Sequence, residues 1–578
     1  MKFSLQDIPF SYRGSWFDIS PVIAENTVAD DLHLVSHQTG MHPILRFTPA
    51  ETPVVTATPA LLTCENSSGR IEFTYQSADT LRIRGDGPEL RIAAAAETLT
   101  PFSGTYLYQD PATGAFVFTS YETGRRYRVT VLTGSLLSAG AEALGTADRS
   151  LTLPAGQPWE VAVEEYEAAR PPYTREADFD HVRRAASAAF TAFADAVAPW
   201  RGAGTPAAEL AAYVVWSATV GPAGLVTRPA VLMSKHWMDK VWSWDHCFNA
   251  AALAAGDPEL AWHQFQLPFD HQDAAGALPD SVTHSEVLYN FVKPPIHGWA
   301  LELIRARLGR PADLEATYER LARWTRFWLD ARRVPGQDLP YYTHGNDSGW
   351  DNATTFDGGR VIQSADLAAF LVLQLHCLAG LAAELEKPSA EWTAAADRIR
   401  DAMVRELWTG DRFEAREPRT GARRPSSSLL DLMPIVLGEH LPGPVAAALA
   451  RGVRAHLTAH GLATEPVDSP HYEADGYWRG PIWAPSTVLI EDGLRRSGHR
   501  ELADEISERF RALCEKSGFA ENFDAVTGAG LRDRAYTWTA SSYLILAAAH
   551  AQRAAAGRPP SGLGTAATSL GAQARTNV

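Results

Sequence analysis

Residues 314–333 read LEATYERLARWTRFWLDARR. Leu314, Leu321, Trp324 and Trp328 recur at steps of seven, three and four, with Glu and Arg between them, so one face is apolar and the other charged, as in an amphipathic helix. The same period runs through DHVRRAASAAFTAFADAVA (180–198) and ADLAAFLVLQLHCLAGLAAELE (365–386). Between residues 178 and 556 roughly a dozen such segments can be counted, many paired as an apolar helix followed by a more charged one, with Gly- or Pro-containing loops between. That number suits six helical hairpins closed into an (α/α)6 barrel, where loops far apart in sequence converge on one cavity. No fixed repeat period supports a solenoid instead.

The first 170 residues have a different texture. GRIEFTYQS (69–77) and AFVFTSYETGRRYRVTVLTGSL (115–136) alternate polar and apolar residues in short runs broken by Gly, Pro, Asp and Asn, the signature of an antiparallel β-sandwich. The expected class is therefore mostly α, with a sandwich domain (1–170) followed by a barrel domain (178–556). ARPPYTRE (169–176) reads as the linker, and the small, polar residues 557–578 read as a disordered tail.

A formal charge of −16, from 52 basic and 68 acidic residues, disfavours nucleic acid and anionic membrane as partners, since both are held by clustered Lys and Arg. Four scattered cysteines without CxxC spacing indicate neither a zinc cluster nor a disulfide framework. Neither a signal-peptide pattern nor a run of about 18 apolar residues is read, so the expected setting is cytoplasmic.

Five loops carry aromatic and polar residues at unusual density: SKHWMDKVWSWDHCFNA (234–250), NFVKPPIHGWA (290–300), GNDSGWDNA (345–353), EADGYWRGPIWAP (473–485) and ENFDAVTGAGLRDRAYTWT (521–539). Sugars explain the mixture, because their C–H faces stack on aromatic rings while their hydroxyls need fixed polar partners. A plain core has little use for so many polar groups beside tryptophans, each unpaired buried polar atom costing about 1–3 kcal/mol.

As an ordered set, WSWDHCFNA, KPPIHGWA, DSGWDNA, GYWRGPIWAP and ENFDAVTG resemble the motif series of glycoside hydrolase family 63, and more loosely that of trehalases. The resemblance covers about 230–545. It implies an (α/α)6 barrel that hydrolyses α-glycosidic bonds with inversion, Asp351 being the general acid and Glu521 the base that activates water. It further implies a sugar-binding floor of Trp242, Trp244, Asp245 and His246, and an opposite wall of Trp478, Arg479, Gly480 and Trp483. Lys293, His297, Asp347, Gly349, Trp350 and Trp538 complete the implied substrate-binding set. Two positions depart from the pattern, Asp347 standing for the usual Glu and Lys293 for the common Gln. The lysine introduces a cation that suits an anionic aglycone.

Inversion needs its two carboxyl groups roughly 6.5–9.5 Å apart. Asp347 and Asp351 are too close in sequence for that, whereas Glu521 comes from a different hairpin; Glu473 and Asp475 are the reserve bases. A short α-glucoside is the first-choice substrate and a glucosylglycerate- or mannosylglycerate-type solute the alternative, with a disaccharide phosphorylase or a non-catalytic sugar-binding protein as competing readings. The chemistry requires neither metal nor cofactor.

Overall fold

The computed structural model describes residues 1–309 and 313–557. The chain forms two compact units, one of Met1–Ala196 with Ala212–Lys240 and Thr283–Glu286, the other of Val197–Ala211, Val241–Val282 and the chain from Val287 onward.

The first unit holds two antiparallel sheets. Six strands lie in the spatial order Phe17–Ala24, Thr27–Ser36, His42–Pro49, Leu90–Ala94, Ser150–Leu153, Leu137–Ala139. Eight lie in the order Val54–Thr58, Leu61–Asn66, Gly69–Ser77, Thr80–Asp86, Trp159–Tyr166, Arg126–Thr133, Phe116–Ser120, Thr105–Gln109. Alternation sets which face is buried: Ile71, Phe73 and Tyr75 of one strand stand opposite Gly85, Ile83 and Leu81 of the next. Their core also takes Phe17, Leu34 and Phe47 from the other sheet, and the rings of Phe47 and Phe73 meet edge to face at 5.5 Å. Each such side chain contributes about 1.5–3 kcal/mol on burial.

This unit extends beyond the boundary expected at residue 170. Arg128 donates to the carbonyls of Arg170 (3.2 Å) and Pro171 (2.7 Å), and Arg82 donates to the Tyr173 hydroxyl (2.9 Å). The stretch expected to be a free linker is thus a strap tied down by arginines of the eight-stranded sheet. The following helix, Phe179–Val197, belongs to the same unit up to Ala196, because Arg84 lies over the Phe179 ring (4.2 Å) and pairs with Asp180 (3.2 Å). The tail expected at 557–578 lies outside the described residues after Gly557.

The second unit is helical: α1 (His246–Leu253), α2 (Pro258–Asp270), α3 (His297–Leu308), α4 (Leu314–Arg326), α5 (Ala365–Glu384), α6 (Ala390–Leu407), a 3-10 segment Leu429–His440, α7 (Gly443–His456), α8 (Ala484–Arg496), α9 (Arg500–Ser517) and α10 (Thr537–Ala556). Packing runs from α1 to α3, α5, Leu429–His440, α8, α10 and back to α1. Against members of this ring lie α2 on α1, α6 on α5, α7 on Leu429–His440 and α9 on α8. Composition explains the two layers: every residue of α1 is buried, whereas α9 (RELADEISERFRALCEKS) buries one stripe, Leu502, Ile506, Phe510 and Leu513.

One helix, α5, is long and apolar enough to cross a membrane by length and composition, contrary to the sequence reading, but 78% of its apolar window is buried inside the structure. The opening stretch departs from a plain α-helix too: α4 passes into a π turn at Phe327–Ala331. Arg332, just after that turn, is used in the site described next.

Candidate active site

Asp351 is placed by a short, heavily constrained loop. The His344 ring accepts the Asn346 N–H (3.2 Å) and starts one helical turn, Gly345–Ser348. Gly349 ends that turn at φ +74°, and a Cβ there would lie 2.3 Å from the Trp244 ring, so glycine answers both the left-handed backbone and the ring contact. Trp350 then packs on Trp478 with ring centroids 4.5 Å apart. Asn352 donates to the Gly476 carbonyl (2.9 Å) and accepts the Trp478 N–H (3.0 Å). Arg479 donates from Nε to the Asn352 carbonyl (2.8 Å) and grips Asp357 with both terminal guanidinium nitrogens. The SGWDN and GYWRG loops are therefore one stapled body.

The aromatic residues form a continuous cluster of ring contacts. Trp478 stacks on Trp483 (4.1 Å, 7° between planes), Trp483 meets Trp538 (6.0 Å), and Trp538 meets Trp244 edge-on (4.9 Å). The indole N–H groups of Trp478 and Trp538 have no hydrogen-bond partner among the described residues, nor have Asp351 Oδ1 and Asp245 Oδ2. Buried polar atoms left unpaired cost energy, and their concentration among these rings suits a polyhydroxylated ligand.

Burial raises the Asp351 carboxyl above the usual range, while Lys293, His344 and a hydrogen bond from Tyr477 pull it back. Glu521 is 3% exposed, and its N–H donates to the Asp533 carbonyl (2.7 Å) at the start of the hairpin Asn522–Phe523/Gly530–Leu531. The Tyr477 phenol is itself pushed up, first by burial and then by the charges of both Asp351 and Glu521, with Arg532 opposing. One hydroxyl thus feels both carboxylates. Tyr536 likewise feels Glu521 and Asp245. On the floor, burial pushes Asp245 up to about 8; Lys293 resists this, and Asp280 and Asp351 add to it.

Several residues assigned to substrate have other duties. Asp347 is fully buried and accepts hydrogen bonds from Val292 N (3.2 Å), Thr343 N (2.7 Å), Thr343 Oγ1 (2.6 Å) and Arg332 (2.9 Å). Its carboxylate clamps two loops, and the shorter Asp side chain fits that role. His297 is buried between the Ser243 carbonyl (Nε2, 3.0 Å) and the Trp324 indole N–H (Nδ1, 3.2 Å); burial holds it down to about 4, so it is neutral with both nitrogens engaged. Lys293 is no free cation: it pairs with Asp280 (3.2 Å), donates to the Asn346 carbonyl (2.9 Å) and lies over Trp242 (5.3 Å). Arg479 is committed to its staple. Gly480, at φ +154°, donates its N–H to Thr464 Oγ1 (3.0 Å). His246 Nδ1 meets the Trp242 carbonyl (3.0 Å). Glu473 and Asp475, the reserve bases, are exposed, and Asp475 pairs with Arg532 (2.6 Å).

Sequence reading missed Tyr477, Asn352, Tyr536 and Arg532. All four lie inside quoted motifs, but nothing in the residue order says which way they face. Tyr477 and Arg532 are non-glycine residues at positive φ, +64° and +57°, a strained backbone that concentrates at functional sites.

The model of the mannosylglycerate hydrolase MGH1-like glycoside hydrolase domain matches residues 238–539, just over half of the chain, and takes in four of the five loops entirely and the remaining one from Met238 onward. The chain belongs to this family, within glycoside hydrolase family 63. A mannosylglycerate hydrolase of Rubrobacter radiotolerans is 26% identical over 413 residues, covering 56% of this chain and 92% of that protein. The structure of a family 63 mannosylglycerate hydrolase from Thermus thermophilus, in complex with glucose, aligns with TM-score 0.50 and 20% identity over 58% of this chain and 98% of that one. A bacterial glucoamylase complexed with acarbose aligns over 95% of both chains, with TM-score 0.60 and 11% identity. The first two matches cover little more than half of this glycoside hydrolase, whereas the glucoamylase's fold spans nearly all of it.

Proposed function

We propose that this family 63 glycoside hydrolase is an (α/α)6-barrel enzyme that cleaves the α-glycosidic bond of a glycerate glycoside with inversion. The closed run of helices α1, α3, α5, Leu429–His440, α8 and α10 supports the barrel. The observation that carries the chemistry is the shared action of Asp351 and Glu521 on the Tyr477 phenol. Two carboxyl groups from loops 170 residues apart that both act on one hydroxyl are the kind of pair a glycoside hydrolase uses, and the inverting assignment follows the family 63 resemblance. Asp351, its carboxyl raised by burial, keeps its proton for the leaving oxygen. Glu521 takes a proton from water attacking the opposite face of the sugar.

A glycerate glycoside is preferred over the short α-glucoside because mannosylglycerate and glucosylglycerate hydrolases are among the relatives found, and because a cation stands beside Tyr477. The Arg532 guanidinium lies 5.0 Å over that ring and is partly exposed. Arg532 is paired too, with Asp475 (2.6 Å), but that carboxylate is largely exposed whereas Asp280, the partner of Lys293, is buried, so the Arg532 charge is the more readily turned to a ligand carboxylate.

The test uses mannosylglycerate, glucosylglycerate and maltose, followed by NMR. The expected result is a phosphate-independent reaction that releases the β-anomer first and favours the glycerate glycosides. Asp351→Asn and Glu521→Gln should each lower kcat by at least about 10³-fold, roughly 4 kcal/mol of transition-state stabilisation. Retention of configuration, phosphate dependence, or more than a tenth of the activity in either variant overturns the reading.

A further inference from the structure

The Asp351 loop is held from below by two buried carboxylates that no sequence motif singled out. Three and four residues after Asp351 come Thr354 and Thr355, in a 3-10 turn closed by Phe356 N–H to the Ala353 carbonyl (3.0 Å). Thr354 Oγ1 donates to Glu465 Oε2 (2.8 Å), and Thr355 Oγ1 donates to Asp431 Oδ1 (3.2 Å). The remaining oxygens take serine hydroxyls: Ser427 and Ser469 (2.6 Å) on Glu465, Ser426 (2.6 Å) on Asp431.

Glu465 is fully buried, and its side-chain hydrogen-bond donors among the described residues are Thr354, Ser427 and Ser469. Burying a carboxylate against hydroxyls rather than a cation is expensive, whereas apolar residues of similar volume are often equally stable. Core stability is therefore a poor explanation for this arrangement. Hydroxyl-to-carboxylate hydrogen bonds are short and directional, so they fix position. Asp351 itself is held by Tyr477, and its Oδ1 is unpartnered among the described residues. Its reach is set mainly by its backbone, where a misplacement of about 1 Å can cost 10²-fold in rate.

We propose that Glu465 and Asp431 are positioning residues that aim the Asp351 carboxyl into the pocket through Thr354 and Thr355. This rests on the reading of Asp351 as the general acid.

The experiment compares Thr354→Val, Thr354→Ser, Glu465→Gln and Asp351→Asn on mannosylglycerate and glucosylglycerate. In parallel, ¹⁹F NMR of the 5-fluorotryptophan-labelled full chain follows the Trp350 resonance, assigned by a Trp350→Phe control. The expected result is a fall in kcat of about tenfold or more for Thr354→Val and Glu465→Gln with KM within about threefold, recovery to at least half in Thr354→Ser, and a Trp350 signal displaced in Thr354→Val but not in Thr354→Ser. An inactive Asp351→Asn beside a Thr354→Val of wild-type kcat overturns the positioning role alone. An active Asp351→Asn overturns the acid assignment alone, and the Trp350 signal still decides: unmoved in Thr354→Val and Glu465→Gln, it refutes the positioning. If Thr354→Val does not fold, Glu465→Gln carries the same two readouts. Equal losses in the Val and Ser variants also refute the proposal.

Discussion

At the scale of single residues, the proposed mechanism turns on how one carboxyl keeps its proton. Burial favours neutral Asp351, while the Tyr477 hydrogen bond and the Lys293 charge favour the anion. Tyr477 thus acts as a brake on the acid's affinity for its proton, held close by a left-handed backbone. Tyr477→Phe removes a hydrogen bond made to the carboxylate, so the Asp351 pKa rises further. The alkaline limb of the kcat–pH profile, which reports loss of the acid's proton, should shift to higher pH, and kcat at neutral pH should fall about tenfold through lost orientation. An alkaline limb that stays in place, or moves to lower pH, contradicts the hydrogen bond's direction. Asp351 and Glu521 stand out in their motifs; the phenol that feels both does not, because a tyrosine beside Gly476 and Trp478 carries no sign of what it faces. Asp347 and His297 misled for a related reason. Their partners Val292, Arg332, Ser243 and Trp324 lie 15 to 55 residues away, and polar residues inside a motif look the same whether they serve ligand or loop.

At the scale of elements, helical period and strand alternation depend on local chemistry, and that is why both layers of the fold could be read. The period breaks where the chain bends to build the site: α4 ends in a π turn, and the short helix before Asp351 stops at Gly349. The boundary near residue 170 was misplaced because the strap's composition signals a linker, whereas Arg82 and Arg128, some 42 to 91 residues earlier, bind it. Gly349 gives the sharpest test at this scale. Gly349→Ala places a methyl 2.3 Å from the Trp244 ring and forces an L-residue to φ +74°. It should destabilise the protein by about 1–3 kcal/mol, read as a lower urea midpoint, and reduce kcat through displacement of the adjoining Trp350–Asp351 pair. A variant with wild-type midpoint and activity would mean that Trp244 is free to move, against the ring contacts described here.

At the scale of the whole molecule, buried titratable groups divide into two sets with opposite effects on stability. His297 and His456 are held neutral by burial, each down to about 4. The unfolded chain binds their protons first, so their contribution is lost as pH falls below about 6.5. The other set is acidic. Burial raises Asp245 to about 8, Asp431 to about 7, Asp366 to about 6 and, in the sandwich unit, Glu165 to about 7. For these the folded state holds the proton longer, so stability declines as pH climbs from about 4 through each folded value. Between roughly pH 4 and 6.5 the two sets offset each other; from 6.5 to about 7 the acidic decline prevails, joined by His37, whose pairing with Asp18 and Asp239 raises it against burial, and above 7 it is opposed by Lys235, which burial holds down to about 7, so that its contribution grows as pH rises. The thermal midpoint should therefore fall between pH 6.5 and 7 and level off toward pH 8. Asp245→Asn should reduce that fall and stabilise the enzyme by at least about 1 kcal/mol at pH 8 with no gain at pH 4, while abolishing sugar binding at the floor. Glu165→Gln should also flatten the decline but leave kcat untouched, because its carboxylate accepts from the Tyr127 hydroxyl in the sandwich core. Midpoints of both variants measured across pH 4–8 decide the matter: a wild-type slope in each would mean that these carboxyls ionise as freely in the folded protein as in water.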